Sequence, residues 1–440
     1  MFFFWKSATA RAREQAQNLL LLAHKVDCYR RDVVPAAKLA ALREAVAALE
    51  QLLADKKTKP EALDHASEAL HQAMLPCGGD IYPLTVAGEY TEMIIVAAIV
   101  VIGIRTFFLQ PFRIPTNSMY PTYNGMTPYV YALDAPGPSA AQKAWNFLTL
   151  GATHYDLRAP VEGEVTLPLG SDGFGRPAFG SPNAKLSERN WTRLWIVPVD
   201  LRQYAIFVGN QPVAFKVPMD FNYGVEEAFV AEYFPDLYAQ GHKDLGKLYG
   251  LLLDHHLVRP DGHGGYALYS GHIAHAGDRV LDFDLRTGDM LFVDRFSYNF
   301  ITPRVGDPFV FHTQGISRIV DHETGQVAGD QYYIKRLVGR PGDRLEVREP
   351  VLYRNSAPIT GAAAFDKNAQ EEGEYPGYVN RGDLGPGDIY TVPENGYFAM
   401  GDNSPDSEDS RYWGPVPAQN LVGRAVFIIY PFTSRWGPAH

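Results

Sequence analysis

Apolar residues recur at three- and four-residue steps through AAKLAALREAVAALEQLL, where Leu39, Leu42, Val46, Leu49 and Leu53 share one side. That period predicts an amphipathic helix. A preceding helix is expected over ARAREQAQNLLLLAHKVDCYRR, ending before Pro35, and a third over PEALDHASEALHQAML, with Pro60 suited to its first position. PCGGDIYP should break that third pattern. Residues 1–89 therefore read as a helical region. The first residues, MFFFWK, turn polar too soon for the apolar core of a cleavable signal peptide.

The pattern then changes. MIIVAAIVVIGI, Met93 to Ile104, is uncharged throughout. A run of that length suits a buried core helix or a membrane span, and continued across Arg105 to Phe112 it is long enough to span. Arg105 near the end can snorkel. A single transmembrane helix over 90–112 is expected. The flanking charges barely orient it: Asp80, Glu89 and Glu92 precede it, and the nearest upstream basic residue is Lys59.

Beyond residue 124 period two dominates. YAIFVGNQPVAFKV reads as strand, Gly-Asn turn, strand. VEEAFVAEYFPDLYAQGHKDLGKLYGLLLDHH interrupts with helical stretches. From Gly288 short strands alternate with Gly-Asp and Pro-Gly turns: GDMLFVDRF, GDPFVFHT, QYYIKRLVG, RLEV, VLYRNSAPI, GDIYTV, YFAMGD and RAVFIIYPF. That cadence indicates an antiparallel sandwich or barrel.

Composition narrows the class. Of 440 residues, 20% are charged and 46% hydrophobic, so the chain is globular rather than disordered. A net charge of −10 without a basic stripe argues against nucleic acid as partner. The only cysteines, Cys28 and Cys77, precede the apolar run. Their placement fits a reducing compartment for the N-terminal part, and nothing after the run can form a disulfide.

Candidate chemistry begins at FRIPTNSMYPT, Phe112 to Thr122, just beyond the apolar run. Ser118 sits between Pro115 and Pro121, which restrict the backbone around it. A serine hydroxyl needs a base to become a nucleophile. Histidine is the usual one, yet no histidine lies near this stretch. Of the 13 histidines, His255, His256, His263, His272 and His275 cluster at residues 255–275, without diagnostic metal spacing. In QYYIKRLVG, alternation puts Tyr333, Lys335 and Leu337 on one strand face. A lysine on an apolar face loses its charge more readily, and a neutral lysine can serve as a base.

These stretches carry a resemblance. FRIPTNSMYPT is similar to the serine box of bacterial type I signal peptidases. YYIKRLVGRPGD, Tyr332 to Asp343, resembles their lysine box, and MGDNSPDSEDSRYWGPVP, Met400 to Pro417, their third signature box. GDMLFVDRFSYNF resembles the strand between the first two. All occur in family order, behind a membrane-like segment.

The resemblance implies a mainly β, antiparallel sheet or barrel catalytic domain, built from residues 113–132 and 286–440. It implies Ser118 as nucleophile and Lys335 as general base. Thr116, through its hydroxyl, and Ser118, through its N–H, would form the oxyanion hole. Ser407 would orient the lysine amine. Asp409 and Arg411 would pair nearby, in a loop with Gly401, Asp402 and Asn403. Many members have Ser at the position of Thr116, and often Arg-Asp at Ser404-Pro405, which leaves that loop's shape open. No metal or cofactor is implied. The implied partners are preproteins carrying signal peptides, the lipid bilayer and the secretion machinery, with the catalytic domain on the translocated side of the inner (plasma) membrane. Residues 133–285 match nothing in the pattern and read as a separate α+β insertion. A Ser/Lys protease with one dedicated substrate, such as a pilin processor or a self-cleaving repressor, and an inactive scaffold are the other readings. The apolar run argues against the repressor, and the intact Ser118, Lys335 and Ser407 against the scaffold.

Overall fold

The computed structural model describes residues 8–83, 86–171, 176–179, 186–191, 198–221, 223–262, 264–319, 327 and 329–439. The opening MFFFWK and His263 lie outside the described residues. The chain divides into two compact units, Met1–Gly103 and Ile104–His440.

The first unit holds helices α1 (Ala8–Arg30), α2 (Ala36–Ala54) and α3 (Pro60–Gly78). Leu39, Leu42, Val46 and Leu49 of α2 are buried, as their spacing requires, and Leu53 packs at the margin. They meet Ala16, Ala23 and Val26 of α1 and Leu63, Leu70 and Met74 of α3. The third helix does not stop before PCGG. It runs through Pro76 to Gly78, and the proline lies two residues from the helix end. Cys28 is exposed and Cys77 buried; both are free thiols.

Helix α4 (Val86–Phe107) carries the apolar run, and none of its side chains is buried. It ends earlier than the pattern suggested. Phe108 donates its N–H to Ile104 O, closing the last turn. Leu109–Arg113 is then a strand, paired antiparallel with Met290–Asp294. The expected span of 90–112 is thus corrected at its end: Phe108 is a turn and Leu109–Phe112 belong to the sheet, not the helix. Pro111 is tolerated because this strand is the sheet's edge.

The second unit is mainly β, and its named strands pair antiparallel. Its principal sheet runs Leu109–Arg113, Met290–Asp294, Leu421–Tyr430, Pro308–His312, Tyr332–Gly339, Gly396–Met400, Val416–Pro417. The lysine strand, Tyr332–Gly339, is therefore interior to the sheet. A smaller four-stranded sheet covers one end around Leu345, Val347, Leu352 and Phe398.

Residues inserted after the serine stretch build a seven-stranded sheet with helices α5 (Ala140–Leu150), α6 (Gly224–Tyr233), α7 (Pro235–Gly241) and α8 (Leu245–Asp254). The expected hairpin is present: Pro198–Val208 pairs with Gln211–Pro218 across a turn whose Gly209 has φ +57°. The boundaries expected at 132/133 and 285/286 cut through a third sheet. There Thr127–Val130 pairs with Arg279–Arg286, which also pairs with Thr153–Arg158.

Candidate active site

The serine stretch leaves the edge strand at Arg113 and turns once, as a short 3-10 helix over Asn117–Met119. Several side chains hold that turn. Asn117 Oδ1 accepts from Gly125 N at 2.8 Å, and its Nδ2 donates to Met126 O at 3.3 Å. Two glycines allow the backbones to close in. A Cβ on Gly125 would lie 2.4 Å from Thr116 C, and one on Gly288 would lie 1.9 Å from Ile114 O. Asp289 accepts from Asn124 N at 2.9 Å and pairs with Arg435 at 2.8 Å. Met119 and Tyr123, both fully buried, anchor the loop from below. Thr116 precedes the turn in extended conformation and is exposed.

The third box closes on this turn from the other side. Asn403 N donates to Ser118 O at 3.1 Å, and Asn403 Nδ2 to Asn117 O at 3.1 Å. Gly401 must be glycine: a Cβ there would lie 2.2 Å from Ser407 Oγ and 2.3 Å from Ser118 O. Asp409 and Arg411 are fully buried and joined through both carboxylate oxygens at 2.8 Å. Arg411 also donates to Val379 O, Ser404 O and Ser407 O, and Asp409 accepts from Gly401 N at 3.0 Å. Burial opposes ionisation of Asp409, but the charge and hydrogen bonds of Arg411 hold its carboxyl below the usual range.

Lys335 comes from the lysine strand, opposite Phe309 of the neighbouring strand. It is 4% exposed, and its Nζ lies 2.6 Å from Ser118 Oγ across 217 positions of sequence. Burial brings its amine down to about 8, against the upward pull of Asp409 and Glu408. Ser407 Oγ is buried and has no hydrogen-bond partner among the described residues. The expected bond from Ser407 to the lysine amine is therefore not formed in this structure, although Ser407 backs directly onto Gly401 beside the serine turn. None of the described histidines hydrogen-bonds Ser118 or Lys335; His312, for example, meets Asp330.

Alternation along the lysine strand held only in part. From Lys335 onward both faces are buried. Arg336, pointing the other way, is 1% exposed and joins Asp402 at 2.7 and 2.6 Å. Asp402 also accepts from Thr122 Oγ1. Thus Asp402 is not merely a turn residue. It pins the third box to the lysine strand and to the serine stretch. Asn117, Arg336, Asp289 and Gly125 were not singled out by sequence reasoning. The adjacent Lys-Arg pair and the Gly-Asp pairs were the signals available.

A buried amine within reach of a serine, without histidine, is a serine-lysine arrangement. A family model described as signal peptidase, peptidase S26, matches residues 281–430. A probable signal peptidase I-1 of Synechocystis sp. is 35% identical over 153 residues, covering 35% of this chain and 67% of that relative. Signal peptidase I T of Bacillus subtilis is 30% identical over 186 residues, covering 42% of this chain and 80% of the relative. The chloroplastic thylakoidal processing peptidase 1 of Arabidopsis thaliana is 31% identical over 147 residues, covering 33% and 38%. The chain belongs to the signal peptidase I family. It is a serine endopeptidase of peptidase S26. The segment matched by the family model contains Lys335 and the third box but not Ser118, which the edge strand returns to them across the insertion.

The lysine's environment carries a cost to a signal peptidase of this build. The folded state holds the proton less tightly than the unfolded chain, at about 8 against 10.5 for an unperturbed lysine. Below pH 8 that difference costs about 3 kcal/mol of stability, and the cost fades as pH rises toward the ordinary lysine value. Lys335→Met is expected to be more stable than the parent at pH 7, by up to about 3 kcal/mol, with the gain shrinking above pH 8. Denaturant unfolding of both proteins at pH 7 and pH 10 checks this; a gain that does not change with pH contradicts it.

Proposed function

We propose that the protein is a membrane-anchored endopeptidase that removes N-terminal signal peptides from exported preproteins, with Ser118 as nucleophile and Lys335 as general base. The observation that carries this is the 2.6 Å approach of a buried lysine amine to the Ser118 hydroxyl. Neutral Lys335 takes the Ser118 proton as Oγ attacks the scissile carbonyl carbon. The developing oxyanion meets the Ser118 N–H and the Thr116 hydroxyl. The lysine ammonium returns its proton to the departing amine, leaving an ester on Ser118. Lys335 then takes a proton from water, which attacks the ester and frees the enzyme. Ser407, buried and unpartnered at Oγ, orients the amine once its hydroxyl turns to it. Asp409, Arg411, Gly401, Asp402 and Asn403 hold the two halves of the site in register.

The anchor is α4. Its 22 residues measure about 33 Å at ~1.5 Å per residue, against a hydrocarbon core of about 30 Å. Ile94, Ile95, Val96, Ile99, Val100, Val101, Ile102 and Ile104 are all about half exposed or more. Leaving that surface in water costs on the order of 10 kcal/mol, which a bilayer relieves. Residues 1–85 lie on the cytoplasmic side and residues 108–440 on the translocated side, where preproteins emerge. Protease added outside spheroplasts is expected to digest the C-terminal unit and spare the helices before α4; the reverse pattern contradicts this orientation.

The test of activity is cleavage of a preprotein with an Ala-X-Ala site by the purified full chain in lipid vesicles. Cleavage after the second alanine, with the acyl group trapped on Ser118, supports the reading. An intact precursor, with the protein folded and Ser118 unmodified, contradicts it.

A further inference from the structure

The insertion is not a bystander to the site. Its helix α8 begins at Leu245, whose N–H points at Asp406 of the third box, 3.2 Å from each carboxylate oxygen. Asp406 closes the short turn Ser404–Asp406 and directly precedes Ser407. From there the backbone connects to the nucleophile in two steps. Asp406 N donates to Asn403 O at 3.1 Å, and Asn403 N donates to Ser118 O at 3.1 Å. Beside this contact, His242 Nε2 lies 2.9 Å from Glu374 Oε2, and Lys243 Nζ donates to Gly373 O. Residues 242–245 thus form one strip of the insertion that grips two loops of the catalytic domain.

We infer that Asp406 is a positioning residue for the cleavage reaction: through it, helix α8 of the insertion braces the loop that sets Ser407 behind Lys335 and Asn403 against Ser118. The inference rests on the serine-lysine reading above. The helix's own cap is Asp244, whose side chain accepts from Lys247 N at 3.0 Å. That cap leaves the Leu245 N–H over, and the acceptor that meets it comes from the catalytic loop. Asp406 is not isolated. Asp244, Glu227 of α6, Tyr223 and Arg381 surround it. Burial lifts its carboxyl to about 7, with the Leu245 N–H pulling the other way and Asp244 adding to the rise. Near pH 7 the carboxyl is about half protonated, and either form presents an oxygen acceptor to the Leu245 N–H.

The brace keeps the loop closed over the lysine. Loosening it lets water reach Lys335, which moves the amine back toward the ordinary lysine value. The test is a steady-state pH profile of the full chain in lipid vesicles for four variants. Asp406→Ala removes the acceptor. Leu245→Pro removes the donor at a first helical position, where proline is tolerated after the extended Asp244. Asp406→Asn keeps the acceptor without charge. The fourth combines the first two.

Asp406→Ala and Leu245→Pro are each expected to lower kcat about tenfold, with KM changed less than about threefold. Each should move the acid limb of the profile up by about one pH unit. The double variant should lose little more than either single one, and Asp406→Asn should stay within about threefold of the parent. An unmoved acid limb in Asp406→Ala overturns the proposal, as do additive losses or an Asp406→Asn as impaired as Asp406→Ala. Should Leu245→Pro fail to fold, the two Asp406 variants decide alone. Lys335→Ala in the same assay separates the two readings: turnover there defeats the dyad itself, whereas a dead Lys335→Ala beside an unaffected Asp406→Ala defeats only the brace.

Discussion

Ser118→Ala and Lys335→Ala are each expected to abolish cleavage, and combining them should cost little beyond either alone. On the proposed dyad the two side chains, 2.6 Å apart, act as one unit. Removing the nucleophile leaves nothing to activate, and removing the base leaves a hydroxyl that keeps its proton. Losses for such units reach about a millionfold in serine proteases with histidine bases. Lys335→Arg should be equally dead, because a guanidinium stays protonated at any working pH. His312→Ala should leave turnover near the parent level, since that imidazole meets Asp330 rather than the dyad. Single-turnover cleavage of a preprotein measures all five variants. Near-normal turnover by Lys335→Arg would point to a base elsewhere.

The next largest effect is expected on stability, at Asp402. Arg336 and Asp402 are 1% and 0% exposed and share two hydrogen bonds; Arg336 also donates to Gly306 O at 2.6 Å. Asp402→Ala strands a guanidinium in the interior, and an uncompensated buried charge costs about 3–5 kcal/mol. Replacing both partners, as Arg336→Met with Asp402→Leu, should recover much of that loss because no charge is left behind. Tryptophan fluorescence during urea unfolding reports it, since Trp413 is buried in the adjoining core. A loss below about 1 kcal/mol for Asp402→Ala contradicts the assignment of this pair as the pin between lysine strand and third box.

What the sequence disclosed follows the range of its signals. Leu39, Leu42, Val46 and Leu49 announced α2 because helix period is local, and the Gly-Asn turn announced its hairpin for the same reason. Ser118, Lys335 and Ser407 stood out because their boxes are short, contiguous and carry their chemistry in residue type; the structure brings Lys335 to Ser118 and leaves Ser407 Oγ without a partner. The end of the apolar helix was not legible. Hydropathy treats Leu109 to Phe112 alike whether lipid or a partner strand receives them, and the partner, Met290–Asp294, lies far along the chain. Arg336 was hidden by the alternation rule, which assigns the face opposite Lys335 to solvent when only one face is covered. The end of the strand is covered on both. The grip of residues 242–245 on Asp406 and Glu374 was out of reach as well: its partners are surface-type residues more than 100 positions apart, whose pairing only the fold creates.

The central claim is that a neutral lysine, not a histidine, accepts the serine proton, and the pH dependence of kcat/KM tests it most directly. Free enzyme should lose activity on the acid side along a limb for one proton, with an apparent pKa of about 8, the value to which burial brings Lys335. Below that pH the amine is charged and cannot accept the Ser118 proton; above it activity should level off. An acid limb centred near ~6.5, the ordinary histidine value, or activity that stays flat through pH 8, contradicts the account.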